Sequence, residues 1–538
     1  MPRAPKTHLD IKFSKGKHYG YLRSSFRKDG KVCHDTHYTF HNSSESQLLS
    51  LRAALNGGMV VTESDIEISD SREYGASAAL FELAGNIGLI GDIYSRLADW
   101  VRDVLAMIIG RIVFQGSKLS LANITDVSAL WEVCGFDTRE IDVDKHCYES
   151  MDKLFKRQKE IEKNLARRYL RDNVVILYDI TSSYFEGEYN GSDLVTFGYN
   201  RDKKKGHKQI VIGLICTKTG CPISVQVFAG NTDDFSTVEG KITEIKRDFG
   251  ISEAIFVGDR GMLKTSNFDS FDSIKTVSGL THADIKTLLE HDSVQLSMFD
   301  ENTGTEIVLP ETPGVRYMLM KNPLRAAKED EDLDRLLEKT EAEFAVIANY
   351  KRKTGDDKLN QRLGSAKGKF KVGKYFDCGA ENGKVTWSRK ADKIAEDVKL
   401  HGLYVIRTNT VEDLLDAGEI VSTYRSLVWV EQAFRTMKTT ELEMRPIYHK
   451  KEDRIRAHVF ICMLAYHLLW HMKQRLSPLF VEDGNGKDRE VTLESIVRKL
   501  ACIRTEKVVI CGNTTFRVTK PTDKQQLILD LLRSNTSA

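Results

Sequence analysis

Two apolar runs that each lead into an aspartate constrain the fold of this chain more than any other sequence feature. Residues 174–178 form a near-continuous apolar run that ends at Asp179, and residues 254–257 form a second run before Gly258 and Asp259. Such runs are typical of strands buried on both faces of a sheet. A right-handed crossover would make the strands parallel and bring both aspartates to one sheet edge, where ligands bind in such folds.

The segment between the two runs predicts a mixed α/β sheet with helices on its faces. Residues 209–217 and 222–229 fit a hairpin pair, and a helix capped within residues 231–234 should extend to about Phe249. A further strand is expected around residues 274–277. Three meandering strands followed by a crossover helix and a parallel strand fit this fold class.

The rest of the chain divides into regions that differ in periodicity and in expected secondary structure. Its 538 residues suggest two to four domains. A mixed α+β N-terminal region has short strands around the turn at residues 28–31, then helical periodicity over residues 76–114 and 141–171. After the predicted sheet, long helical periodicity occurs only near residues 326–343, so we expect a β-rich insertion. We place the boundaries at 1–170 for the N-terminal region, 171–280 and 411–480 for the two parts of the sheet domain, 281–410 for the insertion and 481–538 for a C-terminal region.

Charge is distributed unevenly, although the chain is nearly neutral overall. There are 79 Lys and Arg residues against 77 Asp and Glu, which excludes a protein that is positively charged over its whole surface. Residues 1–28 nevertheless hold eight basic residues against one Asp, and residues 351–374 hold nine against two. Each block fits either a solvated face or contacts with phosphate groups.

The sequence also argues against several other classes of protein. The start lacks an apolar core, and the most apolar run, residues 459–472, is short and carries His467 and His471. We therefore expect a cytoplasmic protein without a membrane span. The two histidines have the i,i+4 spacing of a zinc protease but lack its Glu, so we interpret them as helix packing. No complete phosphate-binding loop or dinucleotide fingerprint is present, which predicts no nucleotide cofactor.

A predicted helix that begins near residue 422 carries a third candidate acid. At about 100° per residue, Tyr424, Glu431, Arg435 and Lys438 fall on one stripe of this helix, beside an apolar stripe. The helix could therefore pack on a sheet while it presents a carboxylate next to two cations. The same pattern fits an ordinary amphipathic helix with an ion pair between Glu431 and Arg435.

Asp179, Asp259 and Glu431 together would form a site for divalent metal ions. Carboxylates that crowd together repel each other unless cations neutralise them. Hard oxygen ligands favour Mg²⁺ or Mn²⁺, and two such ions about 3.5–4 Å apart can serve phosphoryl transfer. We expect two ions in this site.

Three segments resemble the DDE transposases of bacterial insertion sequences. They are LYDITSSYF around Asp179, FVGDRGM around Asp259 and YRSLVWVEQAFRTMK from Tyr424 to Lys438. The most similar group has a Tyr-x2-Arg-x3-Glu-x6-Lys signature, which this chain matches except that Leu427 stands in the position of the Arg. The loop at residues 198–209 is also similar to that group, and the resemblance covers about residues 170–475.

The resemblance implies a ribonuclease H-like catalytic domain that is interrupted by the insertion before its catalytic glutamate. It implies transposition of the cut-and-paste or a related type through two-metal-ion phosphoryl transfer. Asp179, Asp259 and Glu431 would be both the catalytic residues and the metal ligands. Tyr424 and Lys438 would contact DNA phosphates near the cleaved bond.

The partner implied by the resemblance is double-stranded DNA, both the terminal inverted repeats of the element and the target. Pairing of two ends predicts a homodimer on DNA, in a bacterial, nucleoid-associated protein. The family usually recognises terminal repeats through its N-terminal region. The residues that we predict to contact DNA are Tyr424, Arg435, Lys438, Lys208, Arg260 and, in the N-terminal region, Lys12, Lys15, Lys17, Arg23, Arg27 and Lys28.

Two other functions remain open on the sequence. A metal-dependent DNA nuclease or resolvase of the same fold would cut DNA without joining it, although the insertion and the helix of Glu431 favour transposition. A non-catalytic DNA-binding protein derived from a transposon is the other alternative, and the three intact acids count against it.

Overall fold

The computed structural model describes most of the chain. Among its described residues, no helix is both long and apolar enough to cross a membrane. These residues are 6–58, 61, 65–137, 139–171, 174–202, 204, 206–260, 262, 274–290, 294–299, 305–350, 354–439, 441–480, 491–510 and 512–534.

The first described elements form a small antiparallel sheet. It consists of the strands β1 (Thr7–Ser14), β2 (Lys17–Lys28) and β3 (Lys31–Phe40). Lys28 pairs with Lys31 across a turn made of Asp29 and Gly30, and both turn residues have positive φ, 53° and 76°. Two-residue turns of this kind match the twist of the flanking strands and favour Asp-Gly. The hairpin expected around residues 28–31 is therefore confirmed.

Helices and a further strand follow this small sheet. The helical periodicity expected for residues 76–114 and 141–171 is confirmed, because both segments are largely helical. A π-helical segment, Val143–Glu149, leads directly into the last of these helices. The elements are α1 (Glu45–Leu55), β4 (Ile66–Glu73), α2 (Gly75–Asn86), α3 (Leu89–Ile93), α4 (Asp99–Val113), α5 (Lys118–Ala122), α6 (Leu130–Val133) and α7 (Ser150–Tyr169).

The central sheet has the strand directions that the sequence predicts. Its first elements are β5 (Val174–Tyr184), β6 (Gln209–Thr217), β7 (Pro222–Ala229), α8 (Asp234–Arg247), β8 (Ala254–Gly258) and β9 (Ile274–Gly279). β5, β6 and β7 form an antiparallel meander, whereas β8 runs parallel to both β5 and β9. Asp233 caps α8 by accepting a hydrogen bond from the amide of Ser236 at 3.0 Å, as the sequence suggests.

The first central strand is longer than the apolar run that predicted it. We expected this strand to end at Asp179, but β5 continues to Tyr184 and Asp179 lies within it. The strand can continue because β6 pairs with it up to Tyr184, opposite Gln209. The expectation that both acids follow strand ends is therefore correct only for Asp259, which comes directly after β8.

The described part of the segment after β9 has more helical than strand residues, so the expectation of a β-rich insertion is wrong, whereas the helix expected near residues 326–343 is confirmed within Pro323–Ala348. Its elements are α9 (His282–Leu289), β10 (Thr305–Val308), β11 (Arg316–Lys321), α10 (Pro323–Ala348), α11 (Asp356–Lys369), β12 (Phe376–Glu381), β13 (Lys384–Arg389), α12 (Ala391–Val398) and β14 (Leu403–Thr408). On α10, the buried residues Leu333, Leu337 and Phe344 follow a helical spacing and pack with Leu363 of α11 in a separate core. This spacing is the helical periodicity expected near residues 326–343, whereas α11 and α12 are shorter and bury fewer residues.

The last described elements connect the sheet domain back to the N-terminal region. They are α13 (Ala417–Arg425), α14 (Val428–Lys438), α15 (Glu452–Arg475), α16 (Leu493–Ala501), β15 (Arg504–Ile510), β16 (Asn513–Val518) and α17 (Asp523–Arg533). The buried helix expected at residues 459–472 is confirmed as part of α15. β15 pairs with β4, and α16 and α17 pack on α2. The C-terminal elements, expected as a separate region, thus complete a sheet that begins near residue 66.

Helices cover the central sheet, as expected for an α/β fold. Within the described residues, the strand order is β10-β11-β14-β9-β8-β5-β6-β7, so three strands of the insertion extend the sheet. α13 packs on β8, β9 and β14, whereas α14 packs on β5 and β6. α15 packs on β7 and on the helices α4 and α7. The centre of the sheet is therefore where residues from distant parts of the chain meet.

Candidate active site

Two aspartates lie side by side where two central strands separate. Tyr178 of β5 pairs with Gly258 of β8 in parallel register, and the next residues along the two segments are Asp179 and Asp259. β8 ends here, whereas β5 continues beside β6 with Asp179 opposite Leu214. The separation makes a step in the sheet, and the two carboxylates lie at this step.

The third acid, Glu431, reaches the same region from α14. Burial raises the pKa of Asp179 to about 7; the negative charges of Asp259 and Glu431 act in the same direction, and Arg201 opposes them. The three acids therefore lie close enough to interact. Asp259 and Glu431 are exposed, whereas Asp179 is half-buried beneath them in the strand.

The three carboxylates are grouped loosely. In the part of the chain that the structure describes, no choice of one oxygen from each acid places all three within 4.8 Å of one another. A single ion would draw its ligands closer than this. The three acids, as placed, are therefore not the closely spaced ligand set of one ion.

The helix that carries the third acid is interrupted just before it reaches the site. We expected one continuous helix, but α13 and α14 are separated at residues 426–427. The hydroxyl of Ser426 donates to the carbonyl of Thr423 at 2.5 Å, and hydrogen bonds of this kind bend helices. Tyr424 therefore belongs to α13 and Glu431 to α14.

Two positions of the signature hold side chains that pack inward. Tyr424 lies against Gly279 of β9, where a Cβ atom would come within 2.4 Å of the tyrosine hydroxyl oxygen. Arg260 hydrogen-bonds to the side chain of Tyr424 near Asp259, and burial raises the pKa of Tyr424 to about 12. Leu427, which stands in the Arg position, is 7% exposed and belongs to the main core. Arg260 and Tyr424 thus form a pair on the Asp259 side of the step.

Lys438, the last signature residue, is held on the Asp179 side. Its Nζ donates to the hydroxyl of Thr181 at 2.5 Å and lies 3.5 Å from a carboxylate oxygen of Asp202. Thr181 is two residues beyond Asp179 in β5, so both side chains are on the same face of the sheet. Burial lowers the pKa of Lys438 to about 8. The ammonium group therefore lies beside the acids and not in open solvent.

The other residues predicted to contact DNA include both exposed and internally bonded side chains. Arg435 is exposed on α14. Lys208 donates to the carbonyl of Tyr189 at 2.9 Å, and Arg23 forms an ion pair with Asp10 at 3.1 Å. The exposed members of the N-terminal set lie on β1, β2 and the turn between them: Lys12, Lys15, Lys17, Arg27 and Lys28.

Three further charged residues near the acids, Arg201, Asp202 and Arg445, were not among the predicted site residues. Arg201 lowers the pKa of Asp179, and Arg445 donates to Asp202 at 2.8 Å. Arg201 and Asp202 lie in the loop at residues 198–209 that resembles the transposase group, which is the one sequence signal for them. Arg445 offers no such signal, because its partner is 243 residues away in the chain.

The sequence matches a known family over the region that contains all three acids. A family model described as a transposase DDE domain matches residues 170–468. This match spans more than half of the 538 residues, and the chain therefore belongs to the transposase DDE domain family. The resemblance to DDE transposases is confirmed at this level, and the Tyr-Arg-Glu-Lys group stays a prediction.

One solved structure shows a weak similarity to the chain. It is a piggyBac transposase in a cryo-EM structure of its synaptic complex with hairpin DNA. The identity is 10%, the TM-score is 0.37, and the alignment covers 80% of each chain. No curated protein matches the chain.

Proposed function

We propose that this protein is an active DNA transposase that binds the ends of an insertion sequence and catalyses strand cleavage and transfer. The observation that carries the proposal is the meeting of Asp179, Asp259 and Glu431 at the step between β5 and β8. Two strands and a helix from distant parts of the chain supply these acids. All three fall within the segment that matches the transposase DDE domain.

The donor set fits divalent cations of the hard type. It contains carboxylate oxygens without histidine or cysteine, which suits Mg²⁺ or Mn²⁺. The acids raise the pKa of Asp179 through their negative charges, and bound cations would relieve this repulsion. We assign Asp179, Asp259 and Glu431 as the ligands of two ions. When bound, these ions would supply activation of the attacking oxygen and stabilisation of the leaving oxygen.

The strand order supports a ribonuclease H-like catalytic domain. Three antiparallel strands, β7, β6 and β5, are followed across the sheet by the parallel strands β8 and β9. The first acid lies on the central strand of this unit and the second at the end of its parallel neighbour. The insertion leaves after β9 and returns before α13, so the glutamate helix closes the domain.

Cations placed on both sides of the acids would hold the DNA backbone. Arg260 and Tyr424 lie on the Asp259 side, Lys438 lies on the Asp179 side, and exposed Arg435 lies one turn beyond Glu431. We assign phosphate contacts to these residues. The exposed lysines of β1 and β2 would bind terminal repeats, and a homodimer would pair two ends at the bacterial nucleoid.

A cleavage assay with a single carboxylate variant tests this function. Supercoiled DNA that carries candidate element ends is incubated with Mg²⁺ and either wild-type protein or Glu431→Gln. The variant should bind the ends but lose nicking by about 100-fold or more, because it lacks a charged metal ligand. Glu186→Gln, at an exposed acid in the loop after β5, is the matched control and should nick normally.

The products of the same assay separate the three functions. Nicked and joined strands support a transposase, whereas nicks without joined products indicate a nuclease or resolvase. Binding without nicks in the wild type would indicate a non-catalytic DNA-binding protein. Unchanged nicking by Glu431→Gln would contradict its assignment as a metal ligand.

A further inference from the structure

A cluster of cysteine, histidine and tyrosine lies outside the acidic site, where α15 crosses the turn between β6 and β7. Cys221 is the residue just before β7, and His467 and His471 lie on consecutive turns of α15. Tyr169, the last residue of α7, completes the group. Three separate segments of the chain therefore meet at this point.

The cluster has the close spacing of a single-ion site. Among the residues that the structure describes, Cys221, His467 and His471 form the one such group whose ligand atoms all lie within 4.8 Å of one another. The two imidazole ring centres are 4.8 Å apart, and the sulfur of Cys221 lies 3.5 Å from the ring of His467, at Nδ1. Cys221 and His467 are 1% and 0% exposed.

Hydrogen bonding leaves a lone pair of His467 without a partner. Nδ1 of His467 lies 3.1 Å from the carbonyl oxygen of Pro222, which can only accept a hydrogen bond, so Nδ1 carries the proton. Nε2 then has a lone pair, and it is buried without a hydrogen-bond partner among the described residues. Buried nitrogens normally have a partner, so this one can accept a water molecule or bind a metal ion.

In His471, too, a hydrogen bond orients one ring nitrogen and leaves the other ring nitrogen for a different contact. Its Nε2 lies 2.9 Å from the hydroxyl of Tyr169, so one nitrogen of the ring is oriented by a neighbouring group. Histidines that bind metals commonly use one nitrogen for the metal and the other for such an orienting hydrogen bond. Both histidines of the cluster therefore have the arrangement of metal ligands.

The chemistry of the cluster selects a different metal from that of the acidic site. The cluster offers two imidazoles and one thiol as ligands. Imidazole and thiolate are typical zinc ligands, whereas Mg²⁺ and Mn²⁺ favour oxygen.

We propose that Cys221, His467 and His471 bind a structural zinc ion. The ion links α15 to the turn between β6 and β7 and lies next to the end of α7. This assignment replaces the interpretation of the two histidines as helix packing alone. It is independent of the proposed catalytic function, because none of the three acids takes part.

Metal analysis of purified protein tests the zinc site. The chain is expressed without a histidine tag in zinc-supplemented medium, dialysed, and its metals are measured by mass spectrometry. Wild-type protein should carry about one zinc ion per chain, and Cys221→Ser should carry less than about a tenth. Asp179→Asn should keep its zinc, which separates this site from the acidic one.

A second cysteine–histidine pair on α15 provides a matched control. The sulfur of Cys462 lies 4.0 Å from Nε2 of His458, and both residues are buried, but no described residue supplies a third ligand of the kind seen at Cys221. The Cys462→Ser variant should therefore still bind zinc at the cluster of Cys221, His467 and His471. His471→Gln, at a less buried position, should lose zinc while circular dichroism shows a folded protein.

Cobalt substitution gives an independent readout. Protein reconstituted with Co²⁺ should show the absorption of tetrahedral cobalt with a thiolate ligand, and Cys221→Ser should lose the thiolate band. The proposal is overturned if wild-type protein holds no zinc and shows no cobalt spectrum. It is equally overturned if Cys221→Ser and His471→Gln hold as much zinc as wild type.

Discussion

Individual charged residues in the interior divide into those that serve folding and those that face the site. Lys241 is 1% exposed, and its ammonium group donates to Ser224 at 3.2 Å and to Glu244 at 2.8 Å. Glu162 lies nearby and accepts hydrogen bonds from the amide of Val225 and from Gln158. This network joins α7, β7 and α8 away from the step between β5 and β8. We therefore assign it to folding.

The pKa of Glu162 makes this network dependent on pH. Burial raises the pKa of Glu162 from 4.5 to about 7, with Lys241 opposing and Glu244 adding to the rise. Between these values the unfolded chain loses a proton that the folded chain keeps, so stability falls as the pH rises. The Glu162→Gln variant should not show this loss of stability with rising pH.

Urea unfolding at about pH 5 and about pH 8 measures the effect of Glu162→Gln. Wild-type protein should lose about 3 kcal/mol more stability over this interval than the variant does. Glu160→Gln, at an exposed position of the same helix, should behave as wild type. Parallel pH profiles for wild type and Glu162→Gln would show that the carboxyl is ionised in the folded protein.

At the scale of elements, the break between α13 and α14 determines what position 427 can do. A continuous helix would place Tyr424 and Glu431 on one stripe, but the break lets α13 pack on β9 while α14 packs on β5 and β6. Leu427 lies in the bend and is buried in the main core. Its side chain therefore contributes to packing, where the signature of the Tyr-Arg-Glu-Lys group has a cation.

Leu427→Arg should destabilise the protein. The change removes a buried apolar side chain and places a charge in the core, which should lower the free energy of unfolding by about 2–4 kcal/mol. Val428→Arg is the control, because Val428 is 53% exposed, and it should change stability by less than about 0.5 kcal/mol. Urea denaturation measures both. An unchanged urea midpoint for Leu427→Arg would show that an arginine there reaches solvent.

The elements that sequence could predict are those with an uninterrupted pattern. The strands around residues 174–178 and 254–257, their parallel pairing and the cap at Asp233 follow from local apolar runs and capping chemistry. Of the insertion helices, α10 follows from the periodicity near residues 326–343, whereas α9, α11 and α12 are shorter, bury at most three residues each and were missed. The helix break at residues 426–427 was missed because the helical periodicity of the sequence continues across it.

In the candidate site, too, residues that lie in short motifs could be predicted from the sequence, whereas contacts between distant segments could not. Asp179, Asp259 and Glu431 are recognisable because each lies in a short motif of its own. The pairing of Asp202 with Arg445 and the cluster of Cys221 with His467 join segments more than 240 residues apart. Such contacts are fixed by the way the helices pack on the sheet, and local sequence patterns do not encode that packing.

At the scale of the whole molecule, the N-terminal and C-terminal segments fold together. β15 lies between β4 and β16 in one sheet, and α16 packs on α2. Gly75, the first residue of α2, sits directly under the end of α16. A Cβ atom on Gly75 would lie 2.4 Å from the carbonyl oxygen of Leu500 and 2.5 Å from Cβ of Ile503. The two segments are therefore in backbone contact.

Gly75→Ala should push the two segments apart. Because one of the colliding atoms is a backbone oxygen, the contact cannot be relieved by a change of rotamer, and we expect a loss of about 1–3 kcal/mol. Gly85→Ala in the same helix is the control. Its Cβ would have only Ile90 nearby, at 3.9 Å, so it should be neutral or stabilising by up to about 1 kcal/mol.

Thermal unfolding of both glycine variants measures the coupling between the segments. A lower melting temperature for Gly75→Ala alone, with loss of protease resistance in both segments, is the expected result. Equal melting temperatures for the two variants would show that α16 can move away from α2 freely.

The pairing of β4 with β15 has a consequence for synthesis on the ribosome. About 430 residues separate the two strands, so β4 is translated long before the strand that will pair with it. Until then the nascent chain exposes an unpaired strand edge and the apolar face of α2, surfaces of the kind that chaperones bind. β4 and α2 therefore reach their final packing only after β15 and α16 have been translated.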